Sequence, residues 1–218
     1  MNIQILLYEN MTALDAIGPY ECLSRIPDVK LTMVGLHKGM VRTDTGMLGL
    51  MVDESVSDAP LADVILVPGG PERGIQKMIA SPQIKDWLTR QHAQSNVTAS
   101  VCTGSLILIA HGIITSSAVA SHWAAKPVIE SMGVSYSGQR ITQNGKVMTA
   151  AGVSAGIDMA LALIAILTNQ ETAKMIQLGI EYDPKPPFTM QATDARKTSY
   201  MALSKQIGEN RQVDHSVS

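Results

Sequence analysis

The sequence predicts an α/β protein whose core is a largely parallel sheet covered by helices on both faces, and three observations predict it. Short β-branched runs alternate with helix-like segments from the N-terminus to about residue 180, the order expected of βαβ units. The strand candidates are apolar almost throughout instead of alternating, as strands covered on both faces must be. Several close on glycine or on a sharp turn just before a helix, which gathers functional groups at strand C-termini.

Taken in order, Ile3 to Tyr8 is a buried strand that leads through polar residues into a helix start at Leu14-Asp15-Ala16-Ile17-Gly18-Pro19. Lys30 to Leu36 and Asp63 to Val67 repeat the strand pattern, the second closing on Pro68-Gly69-Gly70, while Met40 to Val52 alternates weakly and predicts a hairpin. Ser81 to Gln94 is helical with Pro82 in its first turn, Val97 to Val101 is a strand, and Leu106 to His111 is a helix stopped by Gly112. Val119 to Ser121, Ile141-Thr142 and Lys146 to Thr149 predict further strands, the last two joined through Asn144-Gly145, a type I′ turn signal. Ser154 caps a helix to about Leu167, and a second, about Glu171 to Tyr182, ends before Pro184, Pro186 and Pro187. One domain over residues 1–190 is expected, then a C-terminal helix (about Asp194 to Gly208) and a polar tail over 191–218, with disorder at the last residues.

The 218-residue chain carries 17 Lys and Arg against 19 Asp and Glu and is 45% hydrophobic, which excludes a disordered polyelectrolyte and fits a large buried core. Its net charge of -2, without any basic run, lacks the electrostatic footprint of a nucleic-acid or anionic-membrane binder, so a small-molecule ligand is expected. The start, Met1 to Glu9, has neither the basic region nor the apolar length of a signal peptide, and no apolar helix reaches bilayer length, so the expected location is the cytoplasm. Two cysteines, Cys22 and Cys102, without CxxC spacing, argue against a disulfide scaffold. Thirteen methionines against 4% aromatic residues mean that core volume comes from aliphatic and thioether side chains.

Ser100-Val101-Cys102-Thr103-Gly104-Ser105 follows a β-branched strand and opens an apolar helix, so Cys102 is expected at a strand-to-helix elbow with its sulfur at a positive helix end and its pKa lowered toward neutrality. Pro68-Gly69-Gly70 allows backbone N–H groups to approach a ligand or a developing negative charge. Asp15, in the loop after a central strand, is within the expected reach of Cys102, although an N-cap would use the same residue type. If the two share an apolar pocket, one proton is held between carboxyl and thiol. His122-Trp123 supplies a base or a structural hydrogen-bonder. Neither GxGxxG nor GxxxxGK[ST] occurs, and His37, His92, His111, His122 and His215 show no HExxH spacing, so nucleotide binding and metal catalysis are not expected. Cys22 reads as core and His111 as a helix C-terminal cation.

These residues, with Ala155-Gly156-Ile157-Asp158 and Glu181-Tyr182 before Pro186-Pro187-Phe188, resemble the ThiJ/PfpI superfamily, and within it the isonitrile (isocyanide) hydratase family. The resemblance implies a flavodoxin-like three-layer sandwich, a homodimer and no cofactor. It also implies that Cys102 is the nucleophile, Asp15 its acidic partner and Thr103 an organising neighbour, with Gly69 and Gly70 supplying amides around the bound carbon; the residues themselves suggest His122 and Trp123 as the lining of the same pocket. The implied reaction is hydration of an isocyanide to an N-substituted formamide through a cysteine thioimidate. Thr103 stands where the protease-like branch carries His, and Asp15 where the deglycase and glyoxalase branches usually carry Glu. The alternatives are glyoxalase or deglycase chemistry on small aldehydes and a non-enzymatic thiol redox sensor or stress protein. A transcription regulator is not expected, because no helix-turn-helix follows residue 190.

Overall fold

The apolar run at the N-terminus forms β1 (Asn2–Leu6), in which Ile3, Ile5 and Leu6 have no exposed surface. It belongs to a computed structural model that describes residues 1–189 and 193–214. On one side of β1 lie β2 (Lys30–Gly35) and the short β5 (Glu54–Ser55); on the other lie β6 (Val64–Val67), β7 (Val97–Val101), β9 (Val147–Ala150) and β8 (Ile141–Asn144). Every neighbouring pair in this seven-stranded sheet is parallel except β8 with β9. The expected mostly parallel α/β sandwich is the observed one. The expected hairpin forms beside it from β3 (Gly39–Arg42) and β4 (Gly49–Val52), with Met40 opposite Met51.

Topology positions the site. The chain leaves β1 toward β2 and later returns to β6 on the other side of β1, so strand order reverses between β1 and β6 and the segments that follow them diverge into a crevice. The next strand outward is β7, and β9 follows it. Functional groups carried just beyond β1, β6, β7 and β9 therefore converge at one end of the sheet. Helices α1 (Ala13–Leu23), α2 (Glu72–Ile79), α3 (Pro82–Gln94), α4 (Gly104–Ala110), α5 (Lys126–Ser131), α6 (Ala155–Leu167) and α7 (Gln170–Gly179) complete this unit. Ser81 caps α3 by accepting from Ile84 N–H at 3.3 Å, and Asn169 caps α7 by accepting from Thr172 N–H at 2.9 Å. α1 and α6 pack closely: a Cβ on Gly156 would stand 3.2 Å from Pro19 Cγ.

The structure departs from expectation in several places. Helix α2 and the short α5 replace loops; the Gly-Gly-Pro-Glu-Arg-Gly stretch hides the fact that Ile75 and Met78 share a buried helical face. Val119 to Ser121 is not a strand but an isolated bridge from Val119 to Tyr136, because the Ala120 N–H goes to Thr149 Oγ1 at 2.8 Å instead of to a ladder. Ser154 precedes α6 in helical conformation and makes no side-chain cap. α7 ends at Gly179, short of Tyr182.

The backbone divides into two compact units, Met1–Glu181 and Tyr182–Ser218. The second holds α8 (Asp194–Asp214), which runs past the expected end at Gly208; the disorder expected at the terminus concerns residues 215–218, outside the described residues. Among the described residues no helix is long and apolar enough to cross a membrane.

Candidate active site

Cys102 stands between β7 and α4 with a φ of +59°, a left-handed conformation uncommon for a residue with a side chain. The turn is possible because Gly104 follows: a Cβ there would overlap the Val67 carbonyl oxygen of β6. The elbow is tied down from behind. Cys102 N–H donates to Ala150 O and Ala151 O, both at 3.1 Å, and the Cys102 carbonyl accepts from Ser121 Oγ at 2.8 Å, which in turn accepts from Ser105 Oγ at 2.9 Å. A second strained residue lies opposite. Val153, in the turn after β9, has a φ of +37°, an outlier for a β-branched side chain, and its N–H is hydrogen-bonded to the cysteine sulfur.

Asp15 is not an N-cap. Thr12 holds that position, and Asp15 lies in the first turn of α1 with no exposed surface. Gly69 N–H donates to its Oδ2 at 3.0 Å, whereas Oδ1 is buried without a hydrogen-bonding nitrogen or oxygen. Pro19, inside α1, has no N–H to offer the Asp15 carbonyl. Burial pushes the carboxyl from 3.8 up to about 7; the Gly69 N–H and the Cys102 thiol pull it back, and the charge of Asp44 adds to the rise. The acid is therefore poised at neutrality.

The expected acidification of the sulfur is overturned. Cys102 is 5% exposed, and burial first, then the charge of Asp15, push its thiol up to about 12 against hydrogen bonds from Val153 N–H and Thr103 N–H. The favourable field at a helix terminus is smaller than the cost of burying a thiolate. Desolvation wins. Between these two values, about 7 and about 12, the pair holds a single proton, shared by carboxyl and thiol.

Thr103 bridges the elbow to the glycine loop, its Oγ1 donating to Gly70 O and accepting from Gly70 N–H, both at 2.8 Å. The Gly69 and Gly70 amides expected around a ligand are thus engaged in this structure, one with Asp15 and the other with Thr103. A Cβ on Gly69 would stand 2.5 Å from Thr103 N and 2.9 Å from Asp15 Oδ2, so only glycine lets loop, acid and elbow meet. His122 lies farther round. Its ring packs on Gly152 beside Val153 and tilts against Trp123, with centroids 5.0 Å apart, while Nδ1 accepts from Ala124 N–H at 3.3 Å. Burial lowers its pKa, and with Nδ1 occupied this neutral ring is a structural acceptor more than a base. Sequence reasoning missed Val153 and Tyr8. The buried Tyr8 hydroxyl donates to Pro68 O at 2.9 Å, and burial together with the charges of Asp15, Cys102 and Asp44 keeps it protonated. Cys22 is core, its thiol pushed up to about 11 by burial. Among the described residues no group of three His, Cys, Asp or Glu is placed to hold a metal ion.

A parallel sheet that presents a strained cysteine elbow, with a buried carboxyl from the first crossover facing it, defines a class, and the sequence agrees: residues 1–166 match the DJ-1/PfpI family, to which this chain belongs. Within that family it is 36% identical to an isonitrile hydratase of Pseudomonas putida over 194 residues, covering 89% of this chain and 84% of the relative. It is 28% identical to the Parkinson disease protein 7 homolog of Danio rerio, over 79% of this chain and 93% of that one. Among solved structures, a ThiJ/PfpI family protein from Pseudomonas syringae superposes with a TM-score of 0.87 at 28% identity, covering 97% of this chain and 89% of the other.

Proposed function

We propose that this chain hydrates isocyanides to N-substituted formamides without a cofactor, using Cys102 as nucleophile and Asp15 as proton carrier. The observation that carries the reading is the buried Asp15 carboxyl, poised near neutral pH against a cysteine held in strained conformation. The 36% identity to an isonitrile hydratase supports it. In the singly protonated pair the Asp15 carboxylate takes the thiol proton as sulfur attacks the terminal isocyanide carbon, and the resulting acid delivers that proton to the same carbon. This leaves a thioimidate, Cys102–S–CH=N–R, and a carboxylate. Asp15 next removes a proton from water as oxygen adds to the carbon and passes that proton to nitrogen. Finally it takes the proton of the new hydroxyl as the C–S bond breaks and returns it to sulfur, releasing R–NH–CHO. The sum is isocyanide plus water. Thr103, Gly69 and Gly70 keep the pair aligned, with His122 and Trp123 as the outer wall. The same reading takes a homodimer acting on a small molecule in the cytoplasm.

Incubation with an aryl isocyanide tests the reading: formamide should appear as isocyanide disappears, and kcat/KM should rise with pH to a plateau just above 7 as the pair loses its first proton. A relative described as a glutathione-independent glyoxalase, from Caenorhabditis elegans and 28% identical over half of this chain, favours the aldehyde alternative. Consumption of methylglyoxal without formamide formation would replace the hydratase reading by that one. Turnover of neither, with Cys102 oxidised to sulfinate by mild peroxide, would leave the redox sensor.

A further inference from the structure

Asp44 lies outside the reacting pair yet is wired to it. It sits in the turn between β3 and β4, where its N–H donates to Met11 O at 2.8 Å and its Oδ2 accepts from the Thr12 hydroxyl at 2.9 Å. Thr12 N–H donates to Gly69 O at 2.9 Å, and Gly69 N–H donates to Asp15 Oδ2 at 3.0 Å. Three hydrogen bonds therefore connect one carboxylate to the other through the entrance of α1. We propose that Asp44 is a positioning residue for the pair, a carboxylate clamped by Thr12 whose charge makes the pair hold its first proton more tightly.

The charge acts in the required sense. Asp44 raises the proton affinity of Asp15 and of Tyr8, whereas the charge bearing on Cys102 is that of Asp15. From β7 and its elbow the group facing Asp15 is the Cys102 thiol; from the end of β1 it is the Tyr8 phenol, turned to Pro68 O. Beside the turn, Glu9 accepts from Arg42 N–H at 3.1 Å and the Arg42 guanidinium donates to Met47 O at 3.4 Å. A hydratase working through a proton that shuttles from sulfur to carbon needs a carboxyl that is neither permanently ionised nor permanently protonated at neutral pH. An added negative charge is a direct way to keep a buried carboxyl in that range.

The inference rests on the proposed use of the Asp15–Cys102 pair, but its test needs no isocyanide. The rate of Cys102 alkylation by iodoacetamide, resolved from Cys22 by mass spectrometry, is measured against pH for the wild-type chain and for D44N, D44A and T12V. The D44N side chain keeps an acceptor for Thr12 and loses the charge; T12V keeps the charge and loses the clamp. The midpoint of the acidic limb should fall by about half to one pH unit in both Asp44 variants, raising the rate at pH 6 roughly threefold or more relative to each variant's own plateau. It should move less in T12V. An unmoved midpoint in folded D44N, or T12V and D44A alike while D44N matches wild type, overturns the proposal in favour of a merely structural turn. Alkylation profiles that shift as expected in a protein that forms no formamide would leave Asp44's role standing and remove the hydratase reading alone.

Discussion

At the N-terminal end of β7, the wholly buried Thr98 shares its hydroxyl with His92 Nδ1 at 2.8 Å and Ser95 Oγ at 3.3 Å, and the Lys146 ammonium donates to the carbonyls of His92 and Ser95 at the end of α3. At the C-terminal end of the same strand, two residues with side chains sit at positive φ, an Asp15 oxygen is buried without a nitrogen or oxygen partner, and Ser100 Oγ is unpartnered. Both ends bury polar groups beneath helices. One satisfies them and places a cation at a helix C-terminus, where it is favoured. The other accepts strain of order 1–3 kcal/mol per residue and leaves an acid short of partners. Unmet hydrogen-bonding capacity next to a strained cysteine marks the end on which the proposed chemistry rests, and the settled end supplies the rigid strand that carries it.

Substitutions at the strained end should cost activity far more than stability. Cys102→Ser should abolish formamide formation, a loss of three orders of magnitude or more, because a hydroxyl at this position is a much weaker nucleophile; circular dichroism should show the fold intact, and substantial turnover would remove the cysteine from the mechanism. Asp15→Asn should lower kcat at least about a hundredfold and reverse sign in stability. Folded Asp15 keeps its proton up to about 7, whereas the unfolded chain releases it near 3.8. Stability from this group is therefore complete below pH 4 and is lost as pH rises toward 7, by a few kcal/mol. In urea titrations the Asn variant should be favoured at pH 8 relative to pH 4.5, and a pH-independent gap between the two proteins would mean that the carboxyl is not buried as described. Gly69→Ala forces a Cβ between Thr103 and Asp15. Its kcat should drop roughly ten- to a hundredfold through misalignment, checked by steady-state kinetics beside the melting temperature.

The legible parts of this molecule are those written locally. An apolar run closing on Val101-Cys102-Thr103-Gly104 announces an elbow from a few adjacent residues, and Asn144-Gly145 announces its hairpin. Asp15 needed a fold-level argument, since the Gly69 amide that holds it is 54 residues away; the central place of β1 made the approach foreseeable, its hydrogen bond did not. Val153 was beyond reach because a β-branched residue at positive φ contradicts its own propensity, and only the surrounding turn enforces it. The error over sulfur has the same root. A sequence displays a helix terminus, but the depth at which Cys102 is buried is a property of the assembled sheet, and depth decided its proton affinity. Asp44, in a weakly alternating hairpin, carries no local mark of the acid it influences.

The smallest effect belongs to the settled end and gives the sharpest control. Thr98→Val is nearly isosteric and removes the hydroxyl joining His92 to Ser95. Ser95 is buried and loses a partner, whereas the half-buried His92 ring retains access to water, so the cost should be about 1 kcal/mol, read as a shift in the urea midpoint. Thr98 is four residues from Cys102 along a strand paired with β6 and β9 on both sides, and a strand held so firmly should not pass a lost hydroxyl on to its far end. Formamide production by T98V should stay within about twofold of wild type, with an unchanged pH dependence, since sites without shared partners act additively. A variant that loses stability and also moves the pH profile would couple the two ends through β7, and the division between a scaffold end and a reactive end would no longer hold.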